Sequence, residues 1–192
     1  VFTMLASMIL GMGLPSIPAY IITATMAAPA LANFDVPVLV AHMFVFYFGL
    51  FANITPPVAL AAFAGAGIAG GDPMRTGFIS LRLALAGFIV PFLFVYNPAM
   101  MMIDVTGLPM NAREFPLPPV WDIISISFTS IVGIIALGAA VEGYLKTPLS
   151  PLVRLILAAG ALMMIIPETY TDIAGIIVVA LVAAWNWRSA RQ

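Results

Sequence analysis

Gly11-Met12-Gly13-Leu14-Pro15-Ser16 and, further along, Asn53-Ile54-Thr55-Pro56-Pro57 decide how this chain folds. Each cluster interrupts a long apolar stretch with glycine, proline and small polar residues. A helix that only anchors a protein in hydrocarbon gains nothing from such interruptions, because each frees backbone N–H and C=O groups that lipid cannot satisfy. Something polar must meet them there.

Composition sets the surroundings. Hydrophobic residues make up 63% of the 192-residue sequence and charged residues 8%, against roughly 25% charged in a soluble domain. The fold class is therefore all-α integral membrane, in contact with the lipid bilayer. A net charge of -1 without long charge runs excludes a nucleic-acid footprint. The absence of cysteine removes disulfides, thiolate metal sites and cysteine nucleophiles together. His42, the single histidine, has no carboxylate within a helical turn, whereas zinc asks for about three or four ligands. It reads as a packing residue, and neither a cofactor nor a resident metal is expected.

The breaks divide the chain into short arms. Pro15 and Pro18 split residues 1–34 into arms of about 14 residues, each ~21 Å long against a hydrocarbon core of ~30 Å. Neither arm can cross, so the spacing predicts a re-entrant helical hairpin over 1–34 with its tip near Gly13 to Pro18. A polar turn at Asn33 to Pro37 follows, with Asp35 placed to cap the next helix. Residues 37–71 read as a broken helix, one arm ending at Phe51 and the other starting at Val58, the latter rich in Ala and Gly. A span over 83–103, an external loop over 104–120 and additional transmembrane helices over 121–192 complete the organisation. Among the last, 123–141 is a clear span, and 155–166 and 173–187 form a helical pair around a Pro167 to Asp172 turn.

Basic residues orient these elements. Arg75 with Arg82, Lys146 with Arg154, and Arg188 with Arg191 fall in alternate connections, which places these and the C-terminus on the cytoplasmic side. The 104–122 and 168–172 connections are then external, the hairpin opens outward, and Trp121, Trp185 and Trp187 fall at interfaces. No internal repeat is visible. The opening at Val1, inside an apolar run and without a basic leader, resembles neither a signal peptide nor the start of a chain, and we expect further sequence upstream.

The chemistry of the breaks is that of exposed oxygen. Discontinuous helices in secondary transporters hold a coupling ion on unwound carbonyls and face anionic substrates with half-helix N-termini. Gly11 and Gly13 permit conformations and approaches that a Cβ would block. Pro15, Pro56 and Pro57 lack N–H groups and keep the helix from closing over upstream carbonyls. Ser16, Asn53 and Thr55 add side-chain oxygens, so these eight positions are the candidate ion and substrate contacts. Thr23 and Thr25 are expected to bond back to their own turns, and Tyr20 and Tyr47 to pack. No carboxylate or lysine lies deep in a span, which argues against an acidic proton relay. An enzyme would need a nucleophile with a base, or carboxylates at mid-depth, and neither is present. The competing class is a channel-like or structural membrane subunit, in which the breaks shape a pore.

The run Leu10 to Pro15, Thr23-Ala24-Thr25, Ile54 to Leu60 and Ala66 to Ala69 resembles the C-terminal half of the large membrane subunit of TRAP transporters, the tripartite ATP-independent periplasmic family. Ala41 to Gly49 and Phe92 to Pro98 look like the fused permeases of its TAXI subclass, and the additional helices are similar to the extension such chains carry. The resemblance implies half of an inverted-repeat elevator transporter in the bacterial or archaeal inner membrane. It implies import of a small organic anion, driven by a sodium gradient and delivered by a periplasmic substrate-binding protein. It also implies that an N-terminal part of the permease supplies the first hairpin and first broken helix.

Overall fold

The computed structural model describes residues 1–104, 115–165 and 169–189, with Thr169 and Ser189 described by their backbone alone. Two short helices, α1 (Phe2–Gly11) and α2 (Ser16–Met26), open the chain, and α3 (Ala28–Ala32) extends the second. At about 15 Å and 17 Å, neither long arm could cross a bilayer. The chain reverses between them through Gly13, whose φ of +76° is left-handed backbone that glycine adopts without steric cost. Because α1 packs on both α2 and α3, the two arms lie side by side as a hairpin.

The broken helix follows as α4 (Val38–Phe51), a 3-10 turn over Ala52–Ile54, an irregular stretch and α5 (Leu60–Ala69). Asp35 does not cap α4 as expected. It takes a φ of +57° in the preceding turn, a conformation aspartate tolerates, and Pro37 stands at the helix boundary without a side-chain cap.

The next span begins earlier than the hydropathy suggests. Asp72 caps α6 (Pro73–Ala84) by accepting from the Arg75 N–H at 2.6 Å, and Pro73 occupies the first helical position, so Arg75 and Arg82 lie on a helix rather than in a loop. The helix runs on through a 3-10 stretch (Leu85–Ile89) into α7 (Val90–Tyr96) and stops before Pro98, so the span is Pro73–Tyr96 instead of 83–103.

The remaining helices are α8 (Val120–Glu142), α9 (Pro151–Ile165) and α10 (Thr169–Ser189). Tyr170 to Asp172, expected in a turn, form the first turn of α10. Most of the expected external loop, with Arg113, the Pro167-Glu168 turn and Arg191 lie outside the described residues. Among the described residues, the Pro73–Tyr96 span, α8 and α10 are long and apolar enough to cross a membrane, with mean hydropathies of 2.2, 2.2 and 1.4. The fold is all-α and that of a membrane protein.

Two cores hold these helices. In the first, α4 is the hub, with α1, α2, α3 and α7 around it and Val40, Phe44, Val45 and Phe48 buried. Aromatic rings fill the contact of α4 with α7 and the 3-10 stretch before it, where Phe44 and Phe48 meet Phe92 edge-on and Phe51 stacks on Phe88 at 4.7 Å. In the second, α8, α9 and α10 pack against one another, α8 leans on the 85–89 segment, and Ala86, Leu137 and Leu157 share one core. Gly175 lets α10 close on α9, since a Cβ there would lie 2.7 Å from the Gly160 carbonyl.

Candidate functional site at the two helix breaks

The end of α1 is seated on α4 backbone to backbone. A Cβ on Gly11 would fall 2.5 Å from the Gly49 carbonyl oxygen and 2.8 Å from its Cα, so the end of α1 touches α4 directly. From α2, Thr23 and Ala19 approach the same residue, Thr23 Cγ2 lying 3.4 Å from where a Gly49 Cβ would be. Gly49 is thus the common seat of both arms. Further along, the phenol of Tyr20 on α2 lies 3.0 Å from Nδ1 of His42 on α4, a hydrogen bond that ties the same two elements.

This seating brings the two breaks together. The end of α1 packs on the Ala52–Ile54 turn, and a Cβ on Gly13 would sit 3.8 Å from Val58 Cγ1. Behind the second break stands α6, where Gly77 leaves room for Pro56 and Phe63. A Cβ on Gly77 would lie 3.2 Å from each.

What the two breaks carry is mostly backbone oxygen. Among the described residues, the carbonyls of Met12, Gly13 and Leu14 in the first break accept no backbone N–H, nor do those of Asn53, Ile54, Pro56, Pro57 and Val58 in the second. The Thr55 hydroxyl, 8% exposed, donates to the Phe51 carbonyl at 2.7 Å and keeps its lone pairs. The Asn53 side chain, half-buried, has no hydrogen-bond partner among the described residues. No charged residue belongs to either break. Such a cluster can replace water around a small cation without burying a carboxylate, while the first N–H groups of α5 can face an anion.

The other candidate residues divide cleanly. Gly11 is buried at the α1–α4 contact, and Gly13 forms the exposed tip. Pro56 is wedged against α6, whereas Pro57 is exposed; the peptide bond between them is cis. Pro15 and Ser16 stand exposed at the start of α2, and no described hydrogen bond links them to the second break. As expected, Thr23 and Thr25 bond to carbonyls of their own helix. Sequence reasoning assigned no role to Gly49 or Gly77. The signal was present, since each is a lone glycine within a helix, but its partner is distant in sequence.

Paired half-length arms, two facing breaks and full-length apolar helices define a multi-pass α-helical membrane protein built around broken helices. Comparison with known families makes this specific, for residues 1–107 match the family described as Tripartite ATP-independent periplasmic transporter, DctM component. The chain belongs to that family, as a membrane permease component of such transporters. The match takes in both breaks and ends beyond α7, so α8 to α10 lie outside it. Neither the curated proteins nor the solved structures contained a match to the chain.

Proposed function

We propose that this chain is the ion-binding half of a sodium-driven importer of small organic anions, fed by a periplasmic substrate-binding protein. The observation that carries the reading is the convergence of the two breaks with their carbonyls unmatched. Sodium, as co-transported ion, would sit among these oxygens beside Asn53 and Thr55, while the start of α5 faces the substrate anion. The hairpin and broken helix, joined at Gly49, would move together as the sliding part of an elevator. Sequence upstream would supply the inverted counterpart, and the TAXI-like segments with α8 to α10 fit a fused chain. In this reading the protein lies in the inner membrane with Arg82, Lys146, Arg154 and the C-terminus on the cytoplasmic side.

The test is uptake by the complete permease in proteoliposomes with its binding protein and a candidate organic acid outside. An inward sodium gradient should produce accumulation that equal sodium on both sides does not. Flux that merely equilibrates without the binding protein would favour a channel.

A further inference from the structure

The C-terminal end of α8 carries a second arrangement, built from residues outside the two breaks. Arg154 donates from Nε to the Ala140 carbonyl at 2.8 Å and from Nη2 to that of Val141 at 2.7 Å. Arg82, from α6, brings its Nη2 to within 2.9 Å of the Glu142 carbonyl and 3.4 Å of the same Val141 oxygen. Two guanidinium groups thus meet at one carbonyl. Among the described residues a single carboxylate pairs with these arginines, Glu142 at 3.4 Å from Arg82, and Lys146 stands over the Trp187 ring at 4.6 Å. Positive charge is therefore in excess, and each guanidinium keeps N–H donors that the carbonyls do not use.

Beside Arg154 opens a cavity of about 440 Å³ between α8 and α9, otherwise walled by Ala140, Val141, Pro151, Leu155 and Ala158. A guanidinium lining an apolar slot, with a second that reaches the same Val141 carbonyl beside it, on a helix bundle that spans a membrane, matches one molecule in both its parts. We infer that this is a binding site for an anionic phospholipid, its phosphate bridging Arg82 and Arg154 and one acyl chain lying in the slot. Guanidinium binds phosphate through paired N–H donors, and anionic headgroups collect at basic surfaces of membrane proteins. The site joins α6, which backs the second break, to the helices beyond the family match, so lipid would brace one against the other.

The purified full-length permease should retain dioleoyl phosphatidylglycerol in native mass spectrometry and melt at higher temperature with it, but not with phosphatidylcholine or inorganic phosphate. Arg154→Gln should weaken phosphatidylglycerol binding by about tenfold, the order expected for a lost charge-assisted hydrogen bond. Ala158→Leu, which fills the slot and leaves both arginines in place, should also weaken it, and decides the matter if Arg154→Gln fails to fold. Equal stabilisation by phosphatidylcholine, a full response to inorganic phosphate alone, or undiminished phosphatidylglycerol binding by Ala158→Leu would overturn the assignment.

Discussion

The end of α8 and the ends of α1 and α4 are closed by different groups. At α8 every carbonyl of the last turn is matched. The Ala139 oxygen accepts from the N–H groups of Gly143 and Tyr144, Ala140 and Val141 from Arg154, and Glu142 from Arg82. The last turns of α1 and α4 are closed locally instead, Ile9 and Gly11 accepting from the Met12 and Leu14 N–H groups and Phe51 from the Thr55 hydroxyl, and the carbonyls that lack a backbone N–H donor among the described residues lie just beyond them, in the breaks. A helix end left open in a membrane protein is costly unless something polar arrives. The contrast is between an end sealed by arginines from other helices and two breaks to which, among the described residues, no charged side chain bonds.

The two regions should break differently. The largest effect belongs to Gly11→Leu, which drives a side chain into the backbone of Gly49. A loss of at least about 2 kcal/mol is expected, read as loss of monodisperse folded protein in fluorescence-detected size exclusion. Next comes Asn186→Ala in the C-terminal helices. Asn186 is 1% exposed, accepts from the N–H groups of Lys146 and Thr147, and donates to the Thr147 carbonyl and hydroxyl. Its removal strands buried polar groups at a cost of about 2 kcal/mol, seen as a lower melting temperature with unchanged uptake per folded molecule. Thr55→Val should cost about 1 kcal/mol through the lost bond to Phe51, and should also raise the sodium concentration for half-maximal uptake. A normal sodium response would remove Thr55 from the site. Arg82→Gln should be the mildest in detergent, within about 1 kcal/mol, because its ion pair with Glu142 is half-exposed. A large drop in melting temperature there would show that the α8 end depends on that arginine far more than its exposure suggests.

Much of the first region was legible from local chemistry. The proline spacing bounded both hairpin arms, and Gly-Met-Gly-Leu-Pro and Thr-Pro-Pro located both breaks, since these residues cannot continue a membrane helix at no cost. The start of α6 was also written locally, in Asp72 before Pro73, but the charges that follow looked like a loop. What could not be read was pairing over distance. Nothing near Gly49 says that Gly11 and Thr23 share it, and nothing near Arg82 or Arg154 names the carbonyls of α8. Likewise, Tyr20 and His42 each looked like a packing residue until they met. Which carbonyls stay open depends on the turn geometry, and that emerges only with the backbone.

The decisive measurement sets two asparagines against each other in the complete permease, recording melting temperature and the sodium dependence of uptake for Asn53→Ala and Asn186→Ala. Convergent breaks that hold the ion predict that Asn53→Ala weakens apparent sodium affinity by about tenfold, the order of one ligand lost, and leaves the melting temperature unchanged. Asn186→Ala should do the reverse. Unchanged sodium affinity in Asn53→Ala, in protein that melts normally, would contradict the claim that the open ends form the ion site.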